Sequence, residues 1–234
     1  MVPFSFCTHE LVLLEGHGSR PGALYWPAER ALLVADLHLE KASFYASGGQ
    51  MLPPYDSRET LERLADALRV TGARRVFALG DNFHDDAGPA RLEPHATGML
   101  DALTRAHEWV WITGNHDRAL GSDPARTLPG TCHEELELAG IMLRHETRPD
   151  TPEPELSGHF HPRLTLTARG RRIARACTVA SETRLILPAF GALTGGMPAN
   201  DPAILEALQP AEAIDALLPS RARLVRFPLW RKAA

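Results

Sequence analysis

Three uninterrupted apolar runs, Ala31-Leu32-Leu33-Val34-Ala35, Val76-Phe77-Ala78-Leu79 and Trp109-Val110-Trp111-Ile112, do most to limit how this 234-residue chain can fold. Side chains alternate faces along a strand, so a strand that is apolar at every position must be covered on both faces. A helical pattern stands between consecutive runs. From Asp56 onward, Leu61, Leu64, Ala65 and Leu68 recur at one-face spacing, with Asp56 as N-cap, Glu59 as its capping-box partner and Gly72 as the stop. Met99, Leu100 and Leu103 mark a second helix. Strand–helix–strand–helix–strand predicts parallel strands with right-handed crossovers. Such sheets place ligands beyond the carboxyl ends of their strands. Each run ends in a polar cluster there: Asp36-Leu37-His38, Gly80-Asp81-Asn82-Phe83-His84-Asp85 and Thr113-Gly114-Asn115-His116-Asp117.

Residues 11–14 and 23–26 read as short strands before the first run. Past the third run the pattern changes. Strand-like pieces at 136–138, 141–145, 163–168, 173–180 and 184–187 predict a second, largely antiparallel layer. Residues 149–154 read as a Pro-rich loop, 202–208 and 211–218 as short helices, and 222–227 as a final strand. An apolar content of 44% and a charged content of 23% suit a folded globular protein, read as one domain over 1–234, and exclude a disordered chain. No run approaches the ~18 residues of a membrane span. The opening residues lack the pattern of a signal peptide. Cys7, Cys132 and Cys177 suggest neither a disulfide framework nor a CxxC site, and a cytoplasmic setting is expected.

Two further clusters, His145 and Gly158-His159-Phe160-His161, follow apolar segments of the second half. Residues i and i+2 of an extended segment face the same side, so Asp36/His38 and His159/His161 can each converge on one point. Gly80, Gly114 and Gly158 stand where the backbone must turn or come close to a ligand. The donors are imidazole, carboxylate and an amide oxygen without thiolate, which suits Mn, Fe or Zn better than a Cys-rich structural zinc site. Asp36, His38, Asp81, Asn115, His145, His159 and His161 make seven donors, too many for one ion and right for two ions sharing a carboxylate. Two such ions, ~3.5–4 Å apart, activate water and steady both oxygens of an in-line displacement at phosphorus.

The ordered set DxH, GD, GNHD, a lone His and GHxH, from Asp36 to Pro162, resembles the calcineurin-like metallophosphoesterases. That resemblance implies a four-layer αββα sandwich, two mixed β-sheets flanked by helices. It implies Asp36, His38 and His161 on one ion, Asn115, His145 and His159 on the other, and Asp81 bridging. It also implies His116 just outside the metal shell, donating to the phosphate or the leaving oxygen, with Asp117 orienting it. Gly22-Ala23-Leu24-Tyr25-Trp26-Pro27, Asp36-Leu37-His38-Leu39-Glu40-Lys41 and Gly80-Asp81-Asn82-Phe83-His84-Asp85 are similar to the bacterial ligase-associated DNA-damage-response phosphoesterases, which are endonucleases. Many superfamily members carry GDxxD, whereas here His84 takes that place and Asp85 follows. GDxFH is also the form in double-strand-break repair nucleases of the superfamily, which favours a diesterase. His84 is either a substrate contact or a partner to a ligand, and joins His116 and Asp117 as a candidate catalytic residue. The resemblance implies Mn as the metal, with Fe or Zn as alternatives. The resemblance implies DNA as the substrate, and an ATP-dependent DNA ligase and a helicase as functional neighbours. Oligomeric state is open, a homodimer being one option.

Charge bears on the substrate. The net charge of −4 argues against a uniformly basic nucleic-acid binder, yet residues 163–234 carry 11 basic and 5 acidic residues, a balance of +6. Arg163, Arg169, Arg171, Arg172, Arg175 and Arg184 form either a charged strand edge or a phosphate-backbone groove. Lys41 and Arg118 either reach phosphate or lie in solvent. The competing readings are a phosphohydrolase for a small nucleotide or phospholipid-type ester and a non-catalytic binding module. A complete donor set argues against the last. The remaining histidines, His9, His17, His95, His107 and His133, read as ordinary surface or core residues.

Overall fold

The computed structural model describes residues 1–16, 22–120, 128–149, 151–168 and 170–233. The first sheet is a seven-stranded array in chain order. In it β1 (Val2–Phe6), β2 (His9–Leu13) and β3 (Leu24–Trp26) form an antiparallel meander onto β4 (Ala31–Ala35). From β4 the strands run parallel through β5 (Arg75–Leu79), β6 (Glu108–Ile112) and β7 (Thr131–His133). The second sheet contains β8 (Glu135–Leu138), β9 (Ile141–Arg144), β10 (Glu155–Ser157), β13 (Thr178–Ala180), β14 (Arg184–Ile186), β15 (Ala213–Ser220) and β16 (Arg223–Arg231). Their spatial order is β16-β15-β13-β14-β10-β9-β8. It is mixed rather than all antiparallel, because β10 lies parallel to both β9 and β14. Hairpin β11 (Arg163–Ala168) and β12 (Arg171–Ala176) stands apart.

Alternation along the apolar strands builds two cores at once. Phe77, Leu79, Val110 and Ile112 face the second sheet and meet Leu143, Leu156, Leu185 and Leu217. Their neighbours Val76, Ala78, Trp109 and Trp111 face outward onto α2 (Asp56–Thr71) and onto α4 (Pro94–Ala106), which follows the one-turn α3 (Gly88–Arg91), through Leu61, Leu64, Leu68 and Leu100. Burying each such side chain contributes about 1.5–3 kcal/mol. The outer face of the second sheet is covered more thinly. Val179, Ile186, Ile214 and Ala216 pack on Ile204 and Leu208, in and just beyond the short α5 (Pro202–Ala207), and on Leu164 of the hairpin. Among the described residues no helix is long and apolar enough to cross a membrane.

Two sequence expectations change, and β1 and β10 are strands that the sequence pattern does not announce. Residues 211–218 do not form a helix, because 213–220 are β15, paired with β13 and β16. Alanine and leucine favour a helix only weakly, and cross-strand burial of Ile214, Ala216 and Leu217 wins. In β1, Val2, Phe4 and Phe6 alternate inward, and Pro3 is tolerated because this is an edge strand. Asp56 is not the N-cap of α2. That position is Tyr55, and Asp56 serves α1 (Lys41–Ser47) instead: its Oδ2 accepts from the Ala42 N–H at 3.0 Å. Ser57 Oγ likewise accepts from the Glu40 N–H at 2.8 Å and donates to Glu40 Oε1 at 2.7 Å. The start of α2 therefore ties down the chain that leaves Asp36 and His38. Gly72 ends α2 as expected, in a left-handed cap at φ 65°.

Candidate metal centre

The polar clusters all follow strands, and the strands bring them together. Asp36 and His38 follow β4, Asp81 and His84 follow β5, Asn115, His116 and Asp117 follow β6, His145 follows β9, and His159 and His161 follow β10. Parallel pairing of β4, β5 and β6 in one sheet, and of β9 and β10 in the other, directs every cluster to carboxyl ends.

The DxH and HxH pairs do converge, but not by extended geometry. Asp36, His38, Asp81, His159 and His161 adopt left-handed backbone with φ of 52°, 42°, 47°, 72° and 49°. That conformation costs a non-glycine residue roughly 1–2 kcal/mol. Hydrogen bonds between the loops after β4 and β5 offset it. The N–H groups of Asp36, His38 and Leu39 donate to Gly80, Asp81 and Asn82 carbonyls at 3.1, 2.8 and 2.9 Å. Close approach explains two glycines. A Cβ on Gly80, itself at φ 75°, would strike the His145 ring, and one on Gly158 would lie 2.6 Å from Asp36 Oδ2.

Two donor groups result. In the first, His161 Nε2 lies 3.4 Å from His38 Nε2 and 3.4 Å from Asp36 Oδ1. In the second, His145 Nε2 lies 2.9 Å from Asn115 Oδ1 and 3.1 Å from His159 Nδ1. Asp81 faces both, with Oδ2 3.7 Å from His38 Nε2 and Oδ1 3.4 Å from His145 Nε2. Donor atoms held ~2.0–2.2 Å from an ion sit roughly 3.0–3.5 Å from one another, so the spacing fits one divalent ion per group. The donor chemistry fits as well. Burial pushes the His38 imidazole down to about 2, helped by His161, and lowers His159, helped by His145. Neutral imidazole is the form that ligates. Asp36 also knits the two sheets, accepting the His159 N–H at 3.1 and 3.0 Å through its two oxygens.

His116 and Asp117 act differently from each other. His116 Nδ1 lies 2.8 Å from the His84 carbonyl, so Nδ1–H donates there and Nε2 points to the site, 4.0 Å from Asp81 Oδ2, with its side chain 39% exposed. The expectation that Asp117 orients His116 is therefore corrected: the His84 carbonyl does so. Asp117 is fully buried and accepts from the N–H groups of Gly114 and Asn82 at 2.7 Å each and of Phe83 at 3.3 Å. Burial raises its pKa against those bonds. It clamps the loops after β5 and β6 together.

His84 lies inside the site, while Asp85 pairs with Arg91. The His84 Nδ1 is 3.4 Å from His38 Nδ1, and its ring stacks on His116 with centroids 5.1 Å apart. Burial pushes it down to about 4, with the Lys41 charge next in effect. Phe44 and Tyr45 of α1 wall this ring at 4.7 and 5.5 Å. No motif announced them. Lys41 is half-buried beside this wall, and burial lowers its pKa.

The arginines of the second half divide. Arg184 is 1% exposed, with Nε 3.1 Å from Glu155 Oε1, so it belongs neither to a surface edge nor to a groove. Arg226 and Arg231 both face Asp215. Arg171 and Arg172 are exposed on β12, and Arg169 lies outside the described residues. Among the other histidines, His9 packs on Trp26 and His107 lies against the Leu103 carbonyl at the end of α4. His17 lies outside the described residues. Cys177 is a buried core thiol pushed up to about 12.

Two mixed sheets with a His/Asp/Asn cluster at their carboxyl ends define a metal-dependent phosphoesterase. The chain belongs to the calcineurin-like phosphoesterase family, whose model matches residues 29–164. Among solved structures it is similar to nuclease MPE of Pseudomonas putida, with 33% identity over 97% of this chain and 98% of that one and a TM-score of 0.69. A phosphoesterase from E. coli, Yfce, matches at 15% identity over 85% of this chain and 98% of that one, with a TM-score of 0.40, and no argument rests on it. A search of curated proteins finds no match.

Proposed function

We propose that this chain is a dinuclear phosphodiesterase that cleaves DNA in the course of repair. The observation that carries the reading is Asp81, whose two carboxylate oxygens each face a different donor group. Asp36, His38 and His161 would hold one ion and Asn115, His145 and His159 the other. Bound there, two divalent ions, with Mn the first candidate, supply activation of water near neutral pH and neutralise phosphate charge. The chain supplies the rest. His116 Nε2 faces the reacting side of Asp81, with its ring fixed by the His84 carbonyl, so it can hold a proton for the leaving oxygen. Asp117 and the left-handed turns hold the donors in place. The likeness to a nuclease along nearly the whole chain supports DNA as the substrate, as does the Gly80-Asp81-Asn82-Phe83-His84 form of the second cluster.

Purified protein is expected to hydrolyse bis(p-nitrophenyl) phosphate with Mn²⁺ and to stop on chelation. His116→Ala is expected to lower kcat by about 10²–10⁴-fold while metal content stays near that of the wild type. Plasmid and single-stranded DNA should be cut with a rate that falls steeply with salt. Hydrolysis that survives both chelation and His116→Ala refutes the mechanism. Hydrolysis of the small diester without any cutting of DNA refutes the substrate.

A further inference from the structure

Helix α1 buries only Ala42, so no apolar face of its own seats it in the core. Polar contacts hold it instead. Besides Asp56 and Ser57 at its start, Arg91 donates from Nε to Ser43 Oγ at 3.0 Å and pairs with Asp85, the residue after His84. The helix is thereby tied to the loop that carries His84, and what it presents there is aromatic. The Tyr45 ring stacks on His84 at 28° and 5.5 Å, and His84 in turn stacks on His116 at 23° and 5.1 Å. Phe44 stands edge-on to both, at 76° to His84 and 90° to Tyr45.

Phe44 is nevertheless 40% exposed. Among the described residues seven large apolar side chains are exposed, and three of them, Phe44, Met51 and Tyr55, fall within residues 44–55. Apolar exposure concentrated beside a reactive centre marks a place for a ligand. Here hydrogen bonds keep an aromatic ring in solvent, two ring separations from His116. We propose that Phe44, backed by Tyr45, is the stacking platform for the base of the substrate nucleotide that carries the leaving oxygen. His116 sets the side, because its Nε2 faces the site where that oxygen departs and the wall begins one ring beyond it. Every base has a π-face, so the platform takes any base, provided that base is out of the duplex stack. The assignment rests on the phosphodiesterase reading above, and selects unpaired nucleotides over paired ones.

The test compares the thymidine dinucleotide TpT with its two analogues in which one or the other base is replaced by hydrogen. The wild type is expected to lose about tenfold in kcat/KM on one analogue, the one whose missing base lies on the leaving side. Phe44→Ala is expected to lose about the same factor on TpT and to treat TpT and that analogue alike, whereas Phe44→Trp keeps the discrimination. Stacking is read directly with a short single strand carrying 2-aminopurine, in the presence of chelator. Its fluorescence is expected to fall on binding to the wild type and to Phe44→Trp, and to stay near that of the free strand with Phe44→Ala. The salt slope of binding should be the same for all three, since a ring contact releases no counterion. Phe44→Ala that discriminates and quenches as the wild type does overturns the platform, as does a wild type indifferent to the loss of either base. If the wild type leaves bis(p-nitrophenyl) phosphate intact, the phosphodiesterase reading falls, and the quenching still decides the platform.

Discussion

Two imidazoles at the centre, His145 and His116, each have one nitrogen committed to a backbone carbonyl and the other turned to the site, and this sets what they can do. His145 Nδ1 lies 3.2 Å from the Leu79 carbonyl and His116 Nδ1 lies 2.8 Å from that of His84, which leaves both Nε2 atoms for ligand or proton. Residue types and spacing could not reveal this, because the acceptors are backbone carbonyls placed by the fold. The same geometry moved Asp117 from an orienting role to a loop clamp. Burial of neutral imidazoles has a consequence for pH. An unfolded imidazole titrates near ~6.5, whereas His38 and His84 are pushed down to about 2 and about 4. Below ~6.5 the unfolded chain takes up protons that the folded chain refuses, so this stability is present above ~6.5 and is lost as pH falls. The urea midpoint of the chelated protein is expected to drop between pH 7.5 and 5. A flat midpoint would contradict the neutral, buried His pair.

At the scale of elements, α1 and the first turn of α2 form one device. Asp56 and Ser57 satisfy the N–H groups of Ala42 and Glu40, so the chain after His38 is held by side chains from a helix that begins well downstream. Asp56→Ala is expected to cost about 0.5–2 kcal/mol, read as a lower midpoint in urea, and to loosen the wall formed by Phe44 and Tyr45. An unchanged midpoint would show the cap to be idle. How legible an element was in the sequence follows from what specifies it. β4, β5 and β6 announce themselves because every residue is apolar, which only a doubly covered strand explains. α2 shows its stripe for the same reason. α1 buries only Ala42 and is held by Asp56 and Ser57, so no pattern of its own marks it. β15 depends on partners distant in sequence, and its Ala and Leu content points the wrong way without them.

For the whole molecule, Asp36, Asp81 and Asn115 are visible in the sequence because each follows a fully apolar strand, whereas His159 and His161 follow β10, three residues that no sequence pattern marks, and are legible only through the Gly158-His159-Phe160-His161 spacing. What the sequence could not show is how two sheets share them. The charge asymmetry also changes meaning. Of the basic second half, Arg184 is spent inside the protein and Arg226 and Arg231 on Asp215, while the arginines that share a cleft with Asn115 and His145, namely Arg118, Arg144 and Arg148, all precede residue 163 and stand among Glu134, Glu135, Glu146 and Glu155. The central claim is that Asp81 joins two ions in one centre, and metal analysis combined with electron paramagnetic resonance of the Mn²⁺-loaded protein tests it most directly. The account predicts two ions per chain with an exchange-coupled signal, and loss of the coupling in Asp81→Asn. A single ion per chain, or two uncoupled ions in the wild type, would contradict it.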